Sequence, residues 1–219
     1  ALDTLTIEKV NVNFSFLQKF SSNKLIYGIN TGFGPMAQYK VNEKNLLQLQ
    51  YNLIRSHSSG AGNMMSPILV KAVMIARLNS LMQAYSGVHP EIVELLKELI
   101  NKDVAPCIFE HGGVGASGDL VQLAHLALVL IGEGEVIYEG TLQPTADVFA
   151  RLKIKPLTIR IREGLAVLNG TSAMTERKMA ACSFHGVGKP WMTTMTSSPA
   201  GSCSMAAARA ANAPRTGRP

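Results

Sequence analysis

The chain has 219 residues, 47% of them hydrophobic, enough to bury the core of one or two domains. Its formal net charge is +6, but 6 of the 21 basic residues and 1 of the 15 acidic ones follow Thr175. The body is therefore close to neutral, with no basic stripe and no aromatic platform, and nucleic acid is not an expected partner. No apolar run is long enough for a bilayer, and Cys107, Cys182 and Cys203 are too scattered for a disulfide framework or a zinc site. A cytoplasmic chain with no membrane contact and no metal is the expectation. With alanine at position 1 and no signal peptide, the sequence is expected to begin inside a longer protein.

In residues 1–20, Val10, Val12, Phe14 and Phe16 alternate with polar residues as in a strand, while Phe16, Leu17 and Phe20 follow helical spacing; both readings stay open. Lys24-Leu25-Ile26-Tyr27-Gly28-Ile29 leads into Asn30-Thr31-Gly32-Phe33-Gly34-Pro35, whose glycines and proline predict a shaped loop. A helix over 42–57 follows, capped by Asn42, with Leu46, Leu49, Leu53 and Ile54 on its apolar face. Ser66-Pro67 opens a second helix over 66–86 with Leu69, Val73, Ala76 and Leu81 facing inward. Pro90 opens a third over 90–100 with Ile92, Leu95, Leu96 and Leu99. Their common 3.6-residue period predicts one packed layer.

A second glycine-rich loop runs from 106 to 118 and feeds a helix over 119–132 that buries Leu120, Leu123, Ala127, Leu128 and Ile131. Residues 135–142 predict a hairpin turning at Glu139-Gly140. Residues 155–161 read as extended, and Leu165 to Leu168 as a short apolar segment ending at Asn169-Gly170. After Thr175 the composition shifts to Ala, Arg, Pro, Ser, Thr and Met, and periodicity is lost. The expected organisation is a folded 1–175 domain and a 176–219 tail that is disordered or artefactual and carries no function. The expected class is mainly α with a small β component.

Gly112-Gly113-Val114-Gly115-Ala116-Ser117-Gly118-Asp119-Leu120 is the segment richest in chemistry. In a tight Ala-Ser-Gly loop the Gly118 amide nitrogen can approach the Ala116 carbonyl carbon, because neither glycine nor alanine obstructs the closing ring. Loss of two waters then turns Ser117 into a methylene conjugated to an imidazolone, an electrophile that no ordinary side chain supplies. Taken alone, the tripeptide reads more simply as a loop capping the next helix, with Ser117 as N-cap and Asp119 placed for the helix dipole.

Context changes the weighting. Tyr27-Gly28-Ile29-Asn30-Thr31-Gly32-Phe33-Gly34, Asn52-Leu53-Ile54-Arg55-Ser56-His57-Ser58-Ser59-Gly60, Gly113-Val114-Gly115-Ala116-Ser117-Gly118-Asp119-Leu120 and Asn169-Gly170-Thr171 occur in that order. Together they resemble the histidine, phenylalanine and tyrosine ammonia-lyases, closely over 23–175 and not at all in the tail. The resemblance implies the N-terminal part of a fumarase/aspartase-like helical fold, its central helical bundle missing. It implies the cofactor 4-methylidene-imidazol-5-one (MIO), built from Ala116, Ser117 and Gly118. It further implies Tyr27 as the base removing the β-proton, Asn169 as a hydrogen-bonding neighbour of the ring, and Ser56 and His57 as substrate-binding residues. Outside the resemblance, Tyr27 reads as a core aromatic, Asn169 as a turn residue and His57 as a helix-end cap.

The implied reaction removes ammonia from an aromatic L-amino acid to give a trans-2,3-unsaturated acid. Ser56-His57 resembles the Ser-His of histidine ammonia-lyases, which favours histidine and urocanate. Gly34-Pro35-Met36-Ala37-Gln38-Tyr39 and Phe109-Glu110-His111-Gly112-Gly113-Val114 look closer to some bacterial tyrosine ammonia-lyases, so tyrosine and p-coumarate stay open. An MIO-dependent aminomutase is a further alternative. So is an inactive fragment, because in this family the site is composite and the parent is expected to be a homotetramer.

Overall fold

The computed structural model describes residues 3–22, 24–114, 118 and 120–174. The first element is a helix, α1 (Thr4–Ser21), which resolves the opening ambiguity. Asp3 caps it, its carboxylate accepting from the Thr6 N–H at 2.7 Å and the Thr6 hydroxyl at 2.9 Å. Val10, Phe14 and Leu17 point into the core, whereas Val12 and Phe16 stay exposed. Apolar residues on two faces of one helix produced the alternation that imitates a strand.

A 3-10 turn at Gly34–Met36 closes the first glycine loop. The next helix, α2 (Leu46–His57), follows a second 3-10 turn at Glu43–Asn45. Asn42 does not cap α2; its side chain instead accepts from the Lys44 N–H at 3.1 Å, one turn early. A short strand β1 (Ala61–Met64) leads to α3 (Pro67–Met82), where Ser66 is the N-cap and Pro67 fills the first turn. The buried face of α3 is Val70, Val73, Met74, Arg77 and Leu81, rotated slightly from the expected one. Then comes α4 (Pro90–Asn101), capped by His89 and burying Ile92, Val93, Leu95, Leu96 and Leu99.

Beyond α4 lie β2 (Ala105–Pro106), β3 (Phe109–His111) and the helix α5 (Leu120–Leu130). The expected hairpin is present as β4 (Glu135–Tyr138) and β5 (Thr141–Pro144), with Tyr138 opposite Thr141. Glu139 and Gly140 both take positive φ, +51° and +75°, the requirement of a two-residue turn matching the strand twist. Two short helices finish the described chain, α6 (Thr145–Leu152) and α7 (Glu163–Leu168). Between them, residues 155–160 join no strand; the Leu157 N–H donates to the Leu130 carbonyl and the Ile159 N–H to the Tyr51 hydroxyl.

Three strands form an antiparallel sheet in the order β2-β4-β5, and β1 pairs separately with β3. One continuous core joins α2, α3, α4, α5 and α7 with the β2-β4-β5 sheet. The helices do not lie in one simple layer. α3 packs on α4, whereas α2 packs mainly on α5 and α7. α5 therefore stands between the two groups, burying Leu123, Ala124, Leu126, Ala127, Val129 and Leu130. The result is mainly helical with small sheets, as expected. No helix among the described residues is long and apolar enough to cross a membrane.

Candidate active site

Contacts link the four motifs, far apart in sequence, in pairs: Gly118 with Gly170, the Gly28 loop with α7, and the Gly60 segment with α5 and the second glycine loop. The Tyr27-Gly28 loop and the Asn169-Gly170 segment are joined through Gln50 of α2, which is 1% exposed. Its Nε2 donates to the Gly28 carbonyl and its Oε1 accepts from the Leu165 N–H, both at 3.2 Å. Gly28 has φ +75° and lies so close to Leu165 that a β-carbon there would collide with that side chain.

Gly118 lies against the backbone of Gly170. It has φ +100°, and a β-carbon on it would stand 2.6 Å from the Gly170 carbonyl oxygen. Only glycine fits this position, which meets the requirement that the third residue of an Ala-Ser-Gly ring precursor bring no side chain. Ala116 and Ser117 lie outside the described residues, as do Gly115 and Asp119.

The segment after His57 is fixed by another contact. The Gly60 N–H donates to Nε2 of His125 at 3.0 Å, and His125 stacks edge-on against Phe109. Pairing of β1 with β3 brings Gly60 beside the second glycine loop, where a β-carbon on Gly112 would approach the Gly60 Cα to 3.4 Å. Accepting an N–H requires an unprotonated Nε2, and burial favours the same state by lowering the His125 pKa. Cys107, Phe109, His125 and Glu135 line a cavity of about 170 Å³ behind this contact. The Cys107 thiol is pushed up by burial and by Glu135, so it is not disposed to act as a nucleophile.

Tyr27 is 51% exposed, which excludes the core-aromatic reading. Its ring meets the edge of Phe33 at 5.9 Å, and its hydroxyl accepts from the Gly34 N–H at 3.4 Å. Ser56 is exposed and donates to the Leu53 carbonyl at 3.2 Å. His57 Nδ1 lies 2.9 Å from the same carbonyl and 3.2 Å from the Ser56 hydroxyl; the carbonyl can only accept, so in that contact Nδ1 is the donor. Asn169 ends α7 with its side chain exposed. The described residues contain no group of three or more His, Cys, Asp or Glu that could hold a metal.

Gln50, Arg77 and His125 were not singled out from the sequence. Each is a polar residue on the apolar face of a helix, and that mismatch was the available signal. His111, beside the second loop, ends β3 and packs over Gly62.

Comparison with known proteins gives a consistent picture. The family model described as aromatic amino acid lyase matches residues 1–214, running past the composition change at Thr175. A histidine ammonia-lyase of Shouchella clausii is 53% identical over 152 residues, covering 69% of this chain and 30% of the relative. A tyrosine 2,3-aminomutase of Chondromyces crocatus is 44% identical over 182 residues, covering 83% of this chain and 34% of the relative. The crystal structure of a tyrosine aminomutase from Streptomyces globisporus matches with a TM-score of 0.76 at 39% identity, over 80% of this chain and 33% of that one. This chain thus spans about a third of the length of the curated relatives it matches.

Proposed function

The chain belongs to the aromatic amino acid lyase family, and from that premise we propose that it is the N-terminal part of an ammonia-lyase that eliminates ammonia from an aromatic L-amino acid. The observation that carries the reading is the linking of the four motifs in pairs, with Gly118 seated on Gly170, Gln50 between Gly28 and Leu165, and Gly60 held by His125. In this reading Ala116, Ser117 and Gly118 form MIO. MIO supplies an electrophile for the substrate amine, improving a poor leaving group.

The chain's own residues then orient the substrate and move a proton. Tyr27 reaches solvent with its phenol braced by Phe33 and the Gly34 N–H, as a base must if it is to meet the β-carbon. Asn169, next to the Gly170 that touches Gly118, hydrogen-bonds near the ring. Ser56 and His57 hold the substrate side chain, Nε2 of His57 pairing with an imidazole or a phenol. Histidine, giving urocanate, is favoured by Ser56-His57 and by the histidine ammonia-lyase relatives. The rest of the site would come from the remaining two thirds of a full-length parent, a cytoplasmic homotetramer.

The aminomutase relatives favour a second reading, in which the amine is returned to the β-carbon. Product analysis of the full-length parent separates the two: urocanate or p-coumarate marks a lyase, and a β-amino acid marks the mutase. The first test is the intact mass of this chain under denaturing conditions. A deficit of two waters, absent in Ser117→Ala, is expected. An unmodified mass would restrict the activity to the longer parent and leave this chain an inactive fragment.

A further inference from the structure

Arg77 lies in the core face of α3 and is 4% exposed. No carboxylate stands against it among the described residues, and burial alone pulls its pKa down to about 10. Desolvating a guanidinium without a counter-charge is costly, and a chain that needed only volume there would carry methionine or leucine. The contacts of Arg77 indicate what it does. Nη2 donates to the carbonyl of Ala166, in the last turn of α7, where carbonyls run out of helical partners and a cation is favoured by the helix dipole. Nη1 lies directly against Gly170, so that a β-carbon on Gly170 would collide with it. Nε has no hydrogen-bond partner among the described residues. Gly170 is also the residue against which Gly118 lies.

We infer that Arg77 is a positioning residue of the site: it holds the Asn169-Gly170 segment at the height at which Gly170 seats Gly118, and thereby sets how the Ala116-Ser117-Gly118 loop closes. The inference rests on the reading of that loop as the precursor of MIO. Closure forms a bond from the Gly118 nitrogen to the Ala116 carbonyl carbon. The Ala116 oxygen leaves as water with the Gly118 and Ser117 amide hydrogens. The Ser117 hydroxyl leaves as a second water with its α-hydrogen, so no oxidant or reductant is required. A reaction between backbone atoms of residues two positions apart is governed by their mutual placement, and a small displacement of one end costs much of the rate. Arg77 acts through Gly170.

The test compares the whole chain with Arg77→Met, which removes the buried charge and keeps most of the volume, and with Arg77→Lys, which keeps a charge but not the planar fork. Two readouts are taken on each protein, amide hydrogen exchange and the fraction of molecules lighter by two waters. In Arg77→Met the amides of residues 165–171 and Gly118 are expected to exchange at least about tenfold faster, with α3 and α4 unchanged. The matured fraction falls in parallel, and Arg77→Lys recovers part of both. Unchanged exchange in 165–171, or a wild-type matured fraction in a folded Arg77→Met, overturns the inference. Should Arg77→Met fail to fold, Arg77→Lys decides on the same two readouts: wild-type behaviour overturns, and a local loss with α3 and α4 intact supports. A wild-type chain of unmodified mass would instead count against the maturation of this chain, while the exchange comparison still decides whether Arg77 seats the segment.

Discussion

The buried carboxylate of Glu163 accepts the backbone N–H of His89 at 2.8 Å, tying the first residue of α7 to the N-cap of α4. Its other oxygen accepts from the Arg160 N–H at 2.6 Å. Both bonds favour the charged form, yet burial dominates and raises its pKa to about 6 from an ordinary value of 4.5. In the folded state Glu163 therefore takes up a proton more readily than in the unfolded chain. Its contribution to stability is greatest below pH 4.5 and is lost as pH rises through 6, by on the order of 2 kcal/mol. Glu163→Gln should remove that slope: below pH 4.5 it should lower stability by about 1–3 kcal/mol because one of the two backbone N–H groups loses its acceptor, and at neutral pH by less, because it also removes the buried charge. Urea unfolding of both proteins from pH 4.5 to 7 measures this; a difference between them that does not vary with pH would refute it.

His125 should act in the opposite direction. It is held neutral, with Nε2 accepting from Gly60, and burial lowers its pKa. The unfolded chain then binds the proton more readily, so the contribution of His125 is complete above pH 6.5 and declines as pH falls toward the lowered folded value. His125→Leu leaves the Gly60 N–H without a partner and should cost about 1–3 kcal/mol at pH 7.5. His125→Gln, which offers an uncharged acceptor, should keep part of the stability and lose the acid dependence below pH 6.5. Equal stability of His125→Leu and the wild type at pH 7.5 would show that the contact contributes nothing.

These buried polar contacts mark the limit of what the sequence made legible. α3 and α4 were readable because their apolar residues recur at helical spacing behind a clear cap, Ser66-Pro67 in one and Pro90 in the other. The β4–β5 hairpin was readable from Glu139-Gly140. α7 was not, because Glu163, Gly164, Ala166, Val167 and Leu168 are all buried and a helix buried all round has no polar face to give it a period. β1 was hidden for the opposite reason: all four of its residues are exposed, and its pairing with β3 is set by the chain's return after α4. α6 had signals that went unread, an acidic Asp147 in its first turn and Val148 and Phe149 on one side. At the candidate site the motifs were legible as text, but their contacts were not. These depend on Gln50, Arg77 and His125, whose partners lie 22 to 115 positions away in the chain.

Gln50 offers the most direct test of those contacts, since it bonds both the Gly28 carbonyl and the Leu165 N–H. Gln50→Leu keeps the volume and leaves both backbone groups without partners, a loss of about 1–3 kcal/mol for each that stays dry. The Tyr27-Gly28 loop and residues 165–169 should then exchange their amides faster together, because one side chain restrained both. Gln50→Glu separates the two bonds by charge. An ionised carboxylate still accepts from Leu165 but faces the Gly28 carbonyl with no proton to give, and a protonated one can serve both. Gln50→Glu should therefore be less stable than the wild type at pH 7 and recover as pH falls. Unfolding curves at pH 7 and pH 4.5, with exchange followed at both loops, make the comparison. If Gln50→Leu loosens one loop and leaves the other unchanged, the two motifs are held independently, and the proposed base Tyr27 and Asn169 are not aligned through α2.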